Sequence, residues 1–197
     1  MKSTKTMNVV AFNGSPHRNG NTVALIQAAF KPLNEAGIET ELVQVGGHGV
    51  RGCMACMKCI DNADGCCVGK GDPVNEWIEK MCQADGIIIA SPTYFADVTP
   101  EIKALIDRAG FVTRVNGSQL DRKVGAAVVA VRRAGAIHAY DTINHFFGIS
   151  GMLTVGSSYW NIGIGLHPGD VAEDEEGIAT MTKLGENMAW TLDKLKD

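Results

Sequence analysis

The sequence predicts a single α/β domain in which a parallel sheet carries helices on both faces. Two observations support this class. Short apolar runs alternate with amphipathic segments five times along the chain, and strands that alternate with helices form parallel sheets. The run from Gly86 to Ala90 has no polar face, which is typical of a strand covered on both sides. A barrel would need eight such units, so that alternative is not supported.

Each element follows from local periodicity and turn residues. Residues 8–12 are apolar after Asn8 and run into Asn13-Gly14-Ser15-Pro16, which indicates a strand followed by a loop. Apolar residues at helical spacing come next, with Pro32 as a position that can kink or shorten this helix and Gly37 as its end. The other predicted strands are 39–45, 86–90, 124–131 and 152–155, and the other predicted helices are 73–82, a helix capped by Thr99, one ending near Phe147, and one that begins near Asp174.

The composition of the chain argues against several functional classes. The chain has 197 residues with a net charge of −4, so no basic surplus favours nucleic acid. Its apolar runs are too short to span a bilayer, and its first residues do not resemble a signal peptide. We therefore expect one cytoplasmic domain over 1–197, with no membrane partner, a cysteine-rich insert at about 46–72, and reduced thiols rather than disulfides.

The loop after the first strand, residues 14–22 (the phosphate loop), is suited to an anion. Open α/β sheets bind phosphate at this place, because the following helix presents free N–H groups and a partial positive charge. The loop is neither a Walker A motif nor G-x-G-x-x-G. An ordinary turn capped by Asn and Thr is the alternative. The predicted contacts are Ser15, His17, Asn19, Gly20, Asn21 and Thr22.

Two further loops are predicted to reach the same sheet edge. In a sheet of order 2-1-3-4-5, strands one and three flank the switch point where ligands bind. The aromatic loop 91–95 could pack on a planar ring, and the basic loop 132–135 could stabilise negative charge on it. Aromatics that only cover the sheet end, and a solvated basic turn, are the alternatives. The predicted contacts are Pro92, Thr93, Tyr94, Phe95, Arg132, Arg133 and Gly135.

Cysteine crowding is the strongest local signal. Five of the six cysteines lie between Cys53 and Cys67, which indicates metal or redox chemistry in a chain without a secretory signature. A loop as long as 46–71 in a compact domain is usually functional. Iron–sulfur clusters are held by thiolates, while a four-cysteine zinc site or a metal-free thiol loop are alternatives. Cys82 stands apart and is expected to be a core residue.

The motifs resemble a known family. Gly14-Ser15-Pro16 with Gly20-Asn21-Thr22, then Ser91-Pro92-Thr93-Tyr94 and Asp107-Arg108, are similar to the NADPH-dependent FMN reductase family of flavodoxin-like proteins over nearly the whole chain. The resemblance implies a flavodoxin-like three-layer sandwich that binds FMN. It implies phosphate contacts from Ser15, His17, Asn21 and Thr22, with residues 92–95 along the isoalloxazine ring.

The cysteine spacing resembles the iron–sulfur flavoproteins of this superfamily. That resemblance implies a [4Fe–4S] cluster held by Cys53, Cys56, Cys59 and a fourth cysteine, for which we predict Cys66 with Cys67 as the alternative. It further implies electron transfer among NAD(P)H or a reduced protein donor, FMN, the cluster and a small-molecule or protein redox partner, in a homodimer or homotetramer. No side chain is expected to act as nucleophile or general base.

Two other functions remain open from the sequence. One is an NAD(P)H-dependent FMN or quinone-type reductase whose cysteines are structural and hold no cluster. The other is a non-enzymatic electron carrier or thiol-based redox sensor.

Overall fold

A parallel sheet with helices on both faces forms the framework, as predicted. The computed structural model describes residues 6–195. The sheet order is β2-β1-β3-β4-β5, every pair is parallel, and β6 also pairs with β4. The strands are β1 (Asn8–Asn13), β2 (Glu39–Gln44), β3 (Gly86–Pro92), β4 (Val124–Val131), β5 (Leu153–Thr154) and β6 (Ile162–Ile164). The helices are α1 (Asn21–Glu35), α2 (Lys58–Asn62), α3 (Val74–Gln83), α4 (Pro100–Val115), α5 (Ala136–Ile149) and α6 (Glu175–Lys194), with a 3-10 helix at Asp170–Glu173.

Two apolar cores cover the two faces of this sheet. Alternate side chains of β1 divide between them: Val10 and Phe12 pack with α3, α4 and α5, whereas Val9 and Ala11 pack with α1 and α6. All eight residues of β4 are buried, because the strand is covered on both faces. This arrangement brings the carboxyl ends of β1, β3 and β4 to one edge, where the predicted loops begin.

The last edge of the sheet differs from the prediction of one strand at 152–155. Strand β5 pairs only with Val124 and Gly125, and β6 takes over along Val129–Val131. Between β5 and β6, Asn161 supplies hydrogen bonds to β4: its side-chain Nδ2 donates to Ala127 O at 3.0 Å, and its backbone carbonyl accepts from Val129 N at 2.9 Å. The interruption brings the residues after β6 back to the sheet edge near the phosphate loop.

Smaller departures concern helix ends. The cysteine-rich insert contains the short helix α2, which the sequence did not predict. Pro73 precedes α3 rather than lying in its first turn, and Pro32 lies inside α1, which continues to Glu35. Thr99 occupies the N-cap position of α4, but its buried Oγ1 has no hydrogen-bond partner among the described residues.

Within residues 6–195, no helix combines the length and apolarity that crossing a bilayer requires.

Candidate functional site

The predicted loops meet around a cavity of about 300 Å³ at the carboxyl ends of β1, β3 and β4. We call it the flavin cavity, after the cofactor that the family resemblance implies. Its volume lies at the lower end of the range of roughly 300–1,000 Å³ for small-molecule sites. The predicted residues that line it are Ser15, His17, Gly20, Asn21, Thr22, Pro92, Thr93, Tyr94 and Arg132.

Hydrogen bonds fix the shape of the phosphate loop. The backbone N–H of Ser15 donates to Asn13 Oδ1 at 3.0 Å, and the N–H of His17 donates to Ser15 Oγ at 3.2 Å. From β2, Gln44 Nε2 donates to the carbonyl of Ser15 at 2.6 Å. Gly46 lets the two loops touch, since a Cβ there would lie 2.3 Å from Gly14 O. The loop is therefore held in place by bonds from its backbone to the side chains of Asn13 and Ser15, and by Gln44 on β2.

The start of α1 presents groups to the cavity that suit an anion. Gly20 is the N-cap residue, and the first turn of α1 carries no acidic side chain, so its free N–H groups and partial positive charge face no competing carboxylate. Among the described residues, those lining the cavity include Arg132 and His17 and no Asp or Glu. This donor set fits a phosphate.

The side chain of Asn21 is used for a structural contact. Its Nδ2 donates to His167 O at 2.9 Å, and its Oδ1 accepts from Gly169 N at 2.9 Å. It thereby ties α1 to the segment after β6. A phosphate contact by Asn21 remains a prediction, and its backbone N–H at the helix start is the group that stays available for it.

The aromatic loop is only partly in the flavin cavity. Thr93 N donates to Ala130 O at 2.8 Å, which holds this loop against the end of β4. Tyr94 and Asp97 exchange backbone hydrogen bonds of 2.8 and 3.1 Å across a two-residue turn. Phe95 sits on that turn with φ of 46° and a fully exposed side chain. The predicted residues outside the cavity lining are Asn19, Phe95, Arg133 and Gly135.

The sequence did not identify one wall of the flavin cavity. Gly165, Leu166 and Pro168, which follow β6, line it together with the end of β4. Asp170 orders this wall by accepting from His167 N at 2.6 Å and Leu166 N at 3.0 Å. These hydrogen bonds, first that from His167, hold the pKa of Asp170 below its ordinary value. The glycine at 165 was the available signal, because glycine in such a position often marks close backbone approach.

Four of the cysteines line a second cavity of about 220 Å³, the cysteine cavity. They are Cys53, Cys56, Cys59 and Cys67, whereas Cys66, our predicted fourth ligand, is exposed and does not line it. The two cavities share no lining residue. Within residues 6–195, no three or more His, Cys, Asp or Glu side chains converge closely enough to hold a metal ion as they stand.

Cys67 is the best-anchored cysteine of this cavity. Asn75 on α3 bonds its backbone in both directions, accepting from Cys67 N at 2.8 Å and donating to Cys67 O at 2.9 Å. Arg108 on α4 donates from Nε to Cys67 Sγ at 3.3 Å. Among the described residues, the one hydrogen bond given by Cys66 is short-range, from its N–H to Asp64 Oδ1. Neighbouring residues of the same type are thus distinguished by their three-dimensional partners.

The other three thiols lie in contrasting surroundings. Cys53 and Cys56 belong to the exposed segment 51–57, which has no helix or strand. Two residues of this segment, Ala55 and Met57, have left-handed φ values of 51° and 59°, a strained conformation that clusters at functional sites. Cys59 is buried, and burial raises the pKa of its thiol. The cavity wall is therefore exposed and irregular along residues 51–57 and buried at Cys59.

Comparison with known proteins identifies the family of this chain. The family model for NADPH-dependent FMN reductase matches residues 7–167. An iron–sulfur flavoprotein of Methanocaldococcus jannaschii is 36% identical over 197 residues, with 96% of this chain and 100% of that protein covered. An iron–sulfur flavoprotein of Methanosarcina thermophila is 33% identical over 192 residues, covering 96% and 97% of the two chains.

A solved structure supports the fold independently. The WrbA-like flavodoxin of Agrobacterium tumefaciens superposes with a TM-score of 0.67 at 14% identity, covering 96% of this chain and 99% of that one. The sheet order, the cavity at its carboxyl edge and the match to the family model lead to one assignment. The chain belongs to the NADPH-dependent FMN reductase family, a group of FMN-binding oxidoreductases with a flavodoxin-like fold.

Proposed function

We propose that this protein is an FMN-dependent oxidoreductase that also carries a [4Fe–4S] cluster. Electrons enter from NAD(P)H or a reduced protein donor and leave to a small-molecule or protein acceptor. The proposal rests on one observation: four thiols line a single cavity in a chain of this flavin-binding family. Two relatives that match nearly the whole chain are named iron–sulfur flavoproteins.

The flavin cavity supplies what FMN requires. The N–H groups at the start of α1, with Ser15, would hold the phosphate, since an anion there meets donors and no carboxylate among the described lining residues. Pro92, Thr93 and Tyr94 would lie along the ring system, and Arg132 would offer positive charge at its rim. These side chains bind and orient the cofactor, and none is proposed as a general acid or base.

The cysteine cavity supplies four thiolate ligands for a cluster. We propose Cys53, Cys56, Cys59 and Cys67, because Cys66 lies outside the cavity lining. Backbone N–H groups also reach two of the sulfurs, from Ala55 to Cys53 at 3.4 Å and from Gly69 to Cys67 at 3.5 Å. Such N–H···S bonds stabilise the negative charge of iron–sulfur clusters. When bound, FMN supplies hydride or single-electron chemistry and the cluster carries one electron at a time.

Anaerobic purification followed by cofactor analysis tests the proposal. We expect about one FMN, four irons and four sulfides per chain, with visible absorbance beyond the flavin bands. Rapid mixing with NADH, NADPH or a reduced ferredoxin should bleach the flavin with at least one of these donors. Iron at background level after anaerobic reconstitution contradicts the cluster, and failure to bind FMN contradicts the whole proposal.

A cluster-free reductase is the second candidate function. It is favoured by the finding that the cysteine side chains line a common cavity but do not converge as they stand. Bleaching by NAD(P)H with iron at background would support it. An electron carrier or thiol sensor would instead bind FMN and remain oxidised when mixed with either nicotinamide.

Quaternary structure and location are further parts of the proposal. We propose a cytoplasmic homodimer or homotetramer, in keeping with the family resemblance. Large side chains are exposed on the surface, among them Tyr94 and Phe95 on the aromatic loop and Trp160 before β6. Light scattering on the FMN-loaded protein measures the assembly, and a monomer at micromolar concentration would contradict it.

A further inference from the structure

Arg108 is a buried cation placed against a proposed cluster ligand. Its side chain is only 2% exposed, although it projects from the middle of α4. The guanidinium contacts the insert at separate points: Nε donates to Cys67 Sγ at 3.3 Å, Nη1 to Arg51 O at 3.3 Å, and Nη2 to Gly69 O at 3.4 Å. One arginine thus joins both ends of the cysteine segment to the core.

The charge of Arg108 is matched by one carboxylate. Its Nη1 lies 2.5 Å from Asp72 Oδ2, and the Asp72 side chain is 7% exposed. Burial alone would raise the pKa of Asp72, but hydrogen bonds from Arg108 and from backbone amides outweigh it and hold that pKa below its ordinary value. The pair is therefore ionised at neutral pH. A full charge so deep in a protein is costly unless its partners are well placed.

The surrounding backbone leaves room for this side chain. At Gly69 a Cβ would lie 2.7 Å from Arg108 Nη2 and 3.5 Å from Cys67 Sγ, and no positive φ requires glycine there. A Cβ at this position would force the Arg108 guanidinium to shift. The backbone of the insert at Gly69 thus leaves the space that the guanidinium occupies.

We propose that Arg108 is a positioning residue that selects Cys67 as the fourth cluster ligand and raises the reduction potential of the cluster. This inference rests on the proposed function. A cationic N–H donor to a ligand sulfur stabilises the more negative, reduced state, and hydrogen bonds and net charge are among the factors that set cluster potentials. Asp72 opposes part of this effect, because its carboxylate offsets the positive charge of the guanidinium that contacts this sulfur.

Removing the charge of Arg108 and removing the charge of Asp72 should shift the midpoint potential of the cluster in opposite directions. In an anaerobic redox titration followed by electron paramagnetic resonance, Arg108→Gln should lower the cluster midpoint. The expected change is at least tenfold in the oxidised-to-reduced ratio, which is about 59 mV for a one-electron couple. Arg108→Lys keeps the charge and loses the Nε donor, so its shift should be smaller. Asp72→Asn should raise the midpoint.

Matched controls lie on the same helix. Lys103 and Asp107 form an exposed pair on α4, with side chains 53% and 41% exposed, outside the lining of the cysteine cavity. Lys103→Gln and Asp107→Asn change the net charge by the same amounts as the test variants. Solvent screening should keep their midpoints within about twofold of wild type in the same ratio.

The outcomes separate the inference from the function on which it rests. A wild-type cluster whose midpoint responds to Arg108 and Asp72 no more than to the controls overturns the inference alone. Wild-type protein without iron contradicts the proposed cluster and the inference together. If Arg108→Gln does not fold, Asp72→Asn decides: an upward shift beyond that of Asp107→Asn supports the inference, and an equal or downward shift overturns it.

Discussion

The flavin cavity and the cysteine cavity are built in different ways. The flavin cavity forms where β1, β3 and β4 end, so the sheet itself places its loops. The cysteine cavity lies between α4 and a long insert, and side chains such as Arg108, Asn75 and Asn116 hold that insert. We expect the flavin cavity to tolerate substitutions at its rim, because the sheet positions its loops. We expect the cysteine cavity to be sensitive to each of the few side chains that hold the insert.

The largest expected effect concerns the buried ion pair of the cysteine cavity. Arg108→Met leaves the Asp72 carboxylate buried without its partner, which should lower the free energy of unfolding by about 3–5 kcal/mol. Arg114→Met removes an exposed arginine from the same helix and should change it by no more than about 0.5 kcal/mol. Urea unfolding of both variants measures the difference. Equal stabilities would mean that Arg108 does not anchor the insert.

A smaller effect is expected on the flavin side. In Gly46→Ala the new Cβ would lie 2.3 Å from Gly14 O and 2.4 Å from the Ser15 carbonyl carbon. Because both neighbours are backbone, the phosphate loop must shift, at a cost of about 1–3 kcal/mol. FMN affinity, measured by quenching of flavin fluorescence, should fall while iron content is kept.

Gly49→Ala is the matched control for this change. A Cβ at Gly49 meets nothing within 4 Å, so stability and FMN affinity should both stay near wild type. If the two alanine variants bind FMN equally well, the close contact between Gly46 and the phosphate loop does not matter for the site.

A third prediction uses pH to isolate Asp72. Its pKa is lowered in the folded state, so its contribution to stability is present above the unfolded value of about 3.9 and is lost as pH falls through the lower folded value. The difference in melting temperature between wild type and Asp72→Asn should be constant from about pH 7 to 5 and shrink below about pH 4.

Iron-free and FMN-free protein is suitable for this measurement, because acid would otherwise release the cofactors. Asp107→Asn is the control, since its exposed pair with Lys103 should contribute little at any pH. A gap for Asp72→Asn that stays unchanged down to pH 3 would contradict the ionised buried pair.

The contrast between the two cavities also explains which features could be predicted from the sequence. The alternation of strands and helices was enough to predict a parallel sheet, and the strand order 2-1-3-4-5 came from the family resemblance. Together they predicted which loops meet at the sheet edge, because topology alone brings those loops together. It was not enough for the wall at residues 165–168. That wall depends on the three-residue strand β6 and on bonds from Asn21 to residues more than a hundred positions away.

The arrangement of the cysteine cavity could not be predicted from local sequence patterns, for a related reason. Cys66 and Cys67 are adjacent and chemically identical, so spacing cannot choose between them. Asn75 and Arg108 distinguish them, and they come from two different helices. Helix α2 was also missed, since it is only five residues long and begins after the left-handed Met57.

The most direct test of the account is to map which thiols remain reactive in anaerobically purified protein. Brief treatment with iodoacetamide followed by mass spectrometry should leave Cys53, Cys56, Cys59 and Cys67 unmodified and should modify Cys66. After iron is removed with a chelator, the exposed Cys53 and Cys56 should become reactive first, and buried Cys59 should react slowly. Modification of Cys67 with protection of Cys66, or equal modification of Cys53, Cys56 and Cys66 before chelation, would contradict the account.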